Sequence, residues 1–180
     1  KSTNGGSIWN AIMFATELNY QPDTLIQTTK YMREDITSPC GSKTTNIITI
    51  TVQPQINPGT IESDQVISYN TIPAQINGTV ASGGDGNYTY QWQYSLNDTL
   101  FFNISGATNV NYQPTALAET TYYRRLVISG GCGPIASNRI TITVFDQLFA
   151  GTVGYSQIVC FNTAPATLVE VSSPDGGSGT

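Results

Sequence analysis

Three cysteines, twelve Asp and Glu and no histidine bound the chemistry open to this chain of 180 residues. Without imidazole, Ser-His-Asp and Cys-His catalysis and the commonest zinc ligand are excluded. Cys40, Cys132 and Cys160 are too far apart in sequence to form a C-x-x-C metal or redox pair. Paired carboxylates can cleave glycosides, but Asp64, Asp85, Asp98 and Glu119 fall in predicted turns. Gly83-Gly84-Asp85-Gly86 precedes a strand and lacks alternating oxygen ligands, so it is neither a phosphate loop nor a calcium loop. These residues predict no enzyme, no cofactor and no metal site.

What the chain does carry is repetition. Asn19-Tyr20-Gln21-Pro22 returns 92 residues later as Asn111-Tyr112-Gln113-Pro114, Cys40-Gly41 as Cys132-Gly133, and Ile48-Thr49-Ile50-Thr51-Val52 unchanged at 140–144. Gly59-Thr60-Ile61 returns as Gly151-Thr152-Val153. This is the signature of a tandem array. Residues 1–54 read as the C-terminal part of a first repeat, 59–146 as a complete repeat, and 151–180 as the N-terminal part of a third. The expectation is a segment of a longer polypeptide, whose outer pieces do not fold alone. Between repeats, Gln53–Pro58 holds two prolines that favour semi-rigid spacing, and the more apolar Phe145–Phe149 is expected to pack between domains.

Within the complete repeat, Tyr88 to Tyr94 alternates, placing Tyr88, Tyr90, Trp92 and Tyr94 on one buried face of a strand. A β-branched stretch from Ile76 to Val80 is read as its antiparallel neighbour across the glycine-rich turn. Residues 120–128 and 139–144 form a second pair, with 129–134 as the loop between them, and short strands are expected near 65–68, 101–104 and 110–112. No helical period emerges. About seven strands with turn signals every ~8–12 residues predict an all-β fold: tandem immunoglobulin-like antiparallel β-sandwiches with Greek-key connections.

That fold gives roles to three residues. Trp92 suits the buried ring of a third strand, and Tyr123, matched by Tyr31, suits a tyrosine corner. Arg125, matched by Arg33, is read as structural, packing its stem along the sheet and donating to a loop carbonyl. The cysteines leave two readings open. One cysteine at each end of a repeat suggests an internal disulfide, but Ser68 stands where Cys132 would need its mate. Cys132 is then either a free, buried thiol or the partner of Cys160 across the junction, while Cys40 and Cys160 otherwise pair outside this sequence.

Charged residues make up only 11% of the chain and the net charge is −5, with basic residues scattered, so nucleic acid is not an expected partner. No apolar run reaches the ~20 residues of a membrane-spanning helix. Thr24 and Thr99, in Asp23-Thr24-Leu25 and Asp98-Thr99-Leu100, resemble the Asp-Ser/Thr-apolar acceptor for O-glycosylation of exported Bacteroidota proteins.

Taken together, Gly59-Thr60-Ile61, Gly83 to Gln93, Asn103 to Thr108, Thr121 to Arg125, Gly130 to Gly133 and Ile140 to Val144 resemble the immunoglobulin-like repeats of giant Bacteroidota cell-surface adhesins. The resemblance implies a cell-adhesion and gliding-motility role, export by the type IX secretion system and display outside the outer membrane. Implied partners are neighbouring repeats, the secretion and gliding machinery, and a surface polysaccharide or substratum bound through other parts of the protein. The competing expectation is a carbohydrate-binding or spacer module of a large secreted hydrolase, with Tyr69, Phe101 and Phe102 as a stacking platform.

Overall fold

A computed structural model describes residues 1–177; of the predicted third piece, 178–180 lie outside the described residues. The chain falls into two compact units, residues 1–55 with 83–86, and 56–82 with the remainder. The fold is all-β. In the first unit, β1 (Thr29–Tyr31) pairs with β4 (Ile48–Ile50), and β2 (Glu34–Thr37) with β3 (Gly41–Thr44).

The second unit holds β5 (Gln65–Ile67), β6 (Thr89–Ser95), β7 (Phe102–Asn103), β8 (Thr121–Ser129), β9 (Cys132–Ala136) and β10 (Ile140–Val144) in one sheet of order β5-β10-β8-β6-β7. All its pairings are antiparallel except β5 with β10, which is parallel and departs from the expected all-antiparallel sheet. A second layer is joined by isolated antiparallel bridges: Asn57 to Ser82, Ile61 to Gly78, Ile76 to Tyr112 and Thr71 to Leu117. The two layers make a sandwich.

Alternation decides which side chains close it. On β8, Thr121, Tyr123, Arg125, Val127 and Ser129 are buried at every second position. Ile61, Ile76, Trp92, Tyr123, Ile140 and Ile142 form one core cluster, and Ile56, Ala81, Tyr90 and Val127 another.

Four expectations need correction. The 76–82 segment does not pair with β6 but crosses to the other layer, bridging 57–61 and Tyr112. The predicted loop 129–134 is a tight turn at Gly130-Gly131, both at positive φ, followed by β9, which pairs back onto β8. On β6 the expected face fails at its end: Tyr94 is exposed and Gln93 buried, because Gln93 donates to Asn103 (2.8 Å) and accepts from Arg124 Nε (2.7 Å) on the outer face. Finally, Leu148 and Phe149 are exposed on β11 (Asp146–Phe149), which pairs with β14 (Asp175–Gly177) rather than packing.

The remaining strands, β12 (Thr152–Val153) and β13 (Glu170–Ser172), pair with each other. The two outer pieces lay bare what the complete repeat hides. Ile140 and Ile142 are 3% and 0% exposed, whereas Ile48 and Ile50 are 54% and 36%. Likewise Ile61 and Ile76 are 3% and 1% exposed, against 75% and 68% for Val153 and Leu168.

Candidate functional site

Arg125 joins several segments of the complete repeat through one side chain. Its place on the inward face of β8 puts a guanidinium between the two core clusters, wholly buried. Nη1 donates to the Val110 carbonyl (2.6 Å), and Nη2 donates to the carbonyls of Pro58 (2.9 Å) and Thr79 (2.7 Å). The cation lies 4.5 Å from the centroid of the Tyr90 ring and 5.9 Å from that of Trp92. Burial lowers its pKa, and the neighbouring Tyr90 opposes that shift. Three carbonyl dipoles and two aromatic faces thus replace the solvent this charge loses. Its Nη donors thus tie the second layer to β8, while Nε is buried without a hydrogen-bond partner.

Beside it, Trp92, Tyr112 and Tyr123 form a row, with ring centroids 5.6 Å and 5.8 Å apart. Trp92 Nε1 donates to the Asn109 carbonyl at 2.9 Å. The Tyr123 pKa is raised, first by burial and then by Tyr112 and Tyr94. The Tyr123 ring stands in the core cluster against Tyr112.

Thr24 and Thr99 are both exposed. Asn97 Oδ1 accepts from the amides of Thr99 (3.1 Å) and Leu100 (3.0 Å), which presents Thr99 on a turn. Asp98 is ion-paired to Arg139, while Asp23 stands exposed. The other suspected carboxylates are dispersed: Asp64 accepts from the Thr141 amide at 2.7 Å, and no metal-holding group of His, Cys, Asp or Glu occurs among the described residues.

Cys40, Cys132 and Cys160 are free and exposed, which corrects the expectation of a buried Cys132. The reason is local: Cys132 opens the edge strand β9 just beyond the turn. An internal pair is ruled out geometrically. Ser68 follows β5 at the Val144 end of the sheet, while Cys132 faces Ser129 at the other. The length of β8 separates them by roughly 30 Å at ~3.3 Å per residue, far beyond the roughly 7 Å a disulfide spans.

The proposed aromatic platform is also divided. Tyr69 follows β5 and Phe102 lies on β7, at opposite edges of the sheet. What does gather near β7 is Tyr94 against Phe102 at 6.0 Å and Arg124 over Phe101 at 4.0 Å. A shallow depression on the outer sheet face is bounded by Gln91, Asn103, Leu126, Ile128 and Pro134. Asn138 escaped sequence reasoning: Oδ1 accepts from the Ile61 amide (2.7 Å) and Nδ2 donates to the Ile61 carbonyl (2.8 Å), locking the two ends of the repeat. Its match to Asn46 at the repeat offset is the signal that marks it.

A family model described as a domain of unknown function, DUF8696, matches residues 1–54 and 57–146. The chain belongs to the DUF8696 family. No curated protein matches it. The two stretches matched by DUF8696 share three contacts at the repeat offset. Tyr20 meets Tyr31 at 6.0 Å and 42°, as Tyr112 meets Tyr123 at 5.8 Å and 43°. Val52 N donates to Thr28 Oγ1 at 3.1 Å, as Val144 N does to Thr120 Oγ1 at 3.1 Å. Arg33 Nη1 reaches the Leu18 carbonyl at 3.3 Å, the counterpart of Arg125 with Val110. Its Nη2 turns to Asp35 at 3.2 Å instead of to carbonyls of a second layer.

Proposed function

We propose that this chain is a stretch of a large repetitive cell-surface adhesin, of the gliding-motility type that SprB represents, acting as an extended stalk or filament of immunoglobulin-like repeats. The observation that carries this reading is the recurrence of one ring contact along the chain, Tyr20 with Tyr31 and again Tyr112 with Tyr123, which is how a chain builds length from copies of one unit. The polar groups of the complete repeat support it, because Arg125, Asn138 and Asp64 are each engaged in joining strands. On this reading the repeats are spacers without enzymatic activity, displayed outside the outer membrane after type IX export. The grip on a polysaccharide or substratum lies elsewhere in the protein, and Thr24 and Thr99 carry O-glycans.

A second reading, a carbohydrate-binding or spacer module of a secreted hydrolase, is favoured by one observation: Phe102 and Tyr94, both exposed, lie together at the β7 edge of the sheet. Imaging of living source cells with an antibody against residues 59–146 separates the two. Label that travels along the cell surface supports a motor-driven adhesin, fixed surface label leaves a passive stalk, and label found only in the medium favours the hydrolase spacer.

A further inference from the structure

On the face of β8 that turns away from the core, Arg124, Leu126 and Ile128 stand beside Gln93, Gln91 and Thr89 of β6. Arg124 is held in place there. Its Nε donates to Gln93 Oε1 at 2.7 Å, its guanidinium lies 4.0 Å from the centroid of the Phe101 ring, and Gln93 in turn donates to Asn103 Oδ1 at 2.8 Å. These contacts use one corner of a planar fork. Among the described residues neither Nη group of Arg124 makes a hydrogen bond, and no carboxylate lies within ion-pair distance, whereas Arg33 and Arg139 pair with Asp35 and Asp98. A fixed guanidinium left without an acid, in a chain with twelve acidic residues and seven basic ones, is complementary to a carboxylate supplied from outside.

The shallow depression next to Arg124 supplies the remaining chemistry. Gln91 spends its amide N–H groups on the carbonyls of Trp92 (2.9 Å) and Ile104 (2.8 Å), so what it offers is its acceptor, Oε1. Asn103 spends its acceptor on Gln93, so what it offers is its donor, Nδ2. Leu126, Ile128 and Pro134 give the depression an apolar floor. A donor, an acceptor and an apolar surface together suit a sugar ring, whose hydroxyls both donate and accept and whose C–H face is apolar. Scaffold residues recur at the repeat offset, as Arg125 does at Arg33 and Tyr123 at Tyr31. These do not: Arg124, Asn103 and Leu126 face Met32, Ala11 and Glu34. The fold is therefore built without them.

We propose that the outer face of the complete repeat binds a uronic acid unit of an acidic polysaccharide, with the carboxylate on the Arg124 fork and the ring over Leu126 between Gln91 and Asn103. Such a site adds to the stalk reading a ligand held by this repeat itself. It is tested on purified chain, so its failure leaves the imaging test of the cellular role untouched.

The experiment is an NMR titration of the full chain with an α-1,4-linked galacturonate trimer, its methyl ester and hexaglutamate. Saturable shifts are expected at Arg124 Nε and at the amides of Gln91, Asn103 and Leu126 with the free acid, weakening as salt is raised. Arg124→Met, which installs the residue of the first repeat and keeps a stem over Phe101, should weaken binding by about tenfold, the worth of a charge-assisted contact at a half-exposed site. Asn103→Asp changes little in shape, sets a carboxylate against the ligand's own, and should do the same. Both should keep the wild-type melting temperature, and Arg124→Lys should restore only part of the affinity. Absence of saturable shifts overturns the proposal. So does a methyl ester or hexaglutamate that binds as tightly as the free acid, or undiminished affinity in either Arg124→Met or Asn103→Asp.

Discussion

Arg125 Nη2 donates to the Thr79 carbonyl at 2.7 Å across 46 residues of sequence, fastening β8 to a segment of the opposite layer that no ladder joins to it. With its bonds to Pro58 and Val110, one side chain satisfies backbone acceptors on three separate segments.

Replacing it should therefore be costly. Arg125→Ala leaves buried carbonyls without donors and should lower the unfolding free energy of the central repeat by about 3 kcal/mol or more. Arg33→Ala removes an exposed ion pair and should cost about 1 kcal/mol or less. Urea titration followed by Trp92 fluorescence, in a Trp9→Phe background, measures the first, and the change in Trp9 fluorescence of the otherwise unaltered chain reports the second. Arg125→Lys keeps the charge but not the fork, and should recover only part of the loss.

Gly78 lies against the same clamp. A Cβ there would collide with Arg125 Nη1 and sit 2.7 Å from the Val110 carbonyl oxygen. Gly78→Ala should destabilise the repeat by about 1–3 kcal/mol, as overpacking does, and the loss should shrink in an Arg125→Ala background. Equal losses in both backgrounds would show that the glycine acts for some other reason.

Alkali should weaken the repeat. The Tyr123 pKa is raised in the fold, mainly by burial, so the unfolded chain releases that proton first. The stabilisation is complete below about pH 10, where the unfolded phenol begins to titrate, and falls as pH climbs through the higher folded pKa. Tyr123→Phe should flatten this slope. Denaturant midpoints from pH 8 to 11.5 test it, with tyrosinate absorbance as a check that some of the ten tyrosines titrate late.

All three cysteines should react with a thiol reagent in the native state without denaturant, because each is exposed and unpaired. Cys132→Ser should leave the melting temperature unchanged. Slow labelling of Cys132 would show it to be buried after all.

If the Asp-Thr-Leu sites are glycosylated in the source organism, Thr24 should be occupied more fully than Thr99. Asp23 is free for recognition, whereas Asp98 is held by Arg139. Glycopeptide mass spectrometry gives the occupancies, and Arg139→Ala should raise that of Thr99.

The all-β fold was legible because alternation on β8 and β10 is strict and each buries one face. Arg125 was legible as structural from its recurrence at Arg33. Its acceptors were not, since Pro58, Thr79 and Val110 come together only when the layers close. The β8–β9 turn was misread because Gly130, Gly131, Gly133 and Pro134 signal a loop in sequence. Here the first two make a tight turn, and Pro134 is tolerated because β9 pairs on one side only. Gln93 defeated the alternation rule because its polar partners, Asn103 and Arg124, arrive from other strands.

The parallel run of β5 beside β10 decides how a complete repeat answers a pull on its two ends. Gln65–Ile67 lies near the entry of the repeat and Ile142–Val144 near its exit, pointing the same way. Tension therefore slides the two strands along each other and loads their rungs together, whereas an antiparallel hairpin pulled at its open end unzips rung by rung. Within the complete repeat the two strands are thus arranged as a shear lock, in which the bonds between β5 and β10 resist a pull on its ends together.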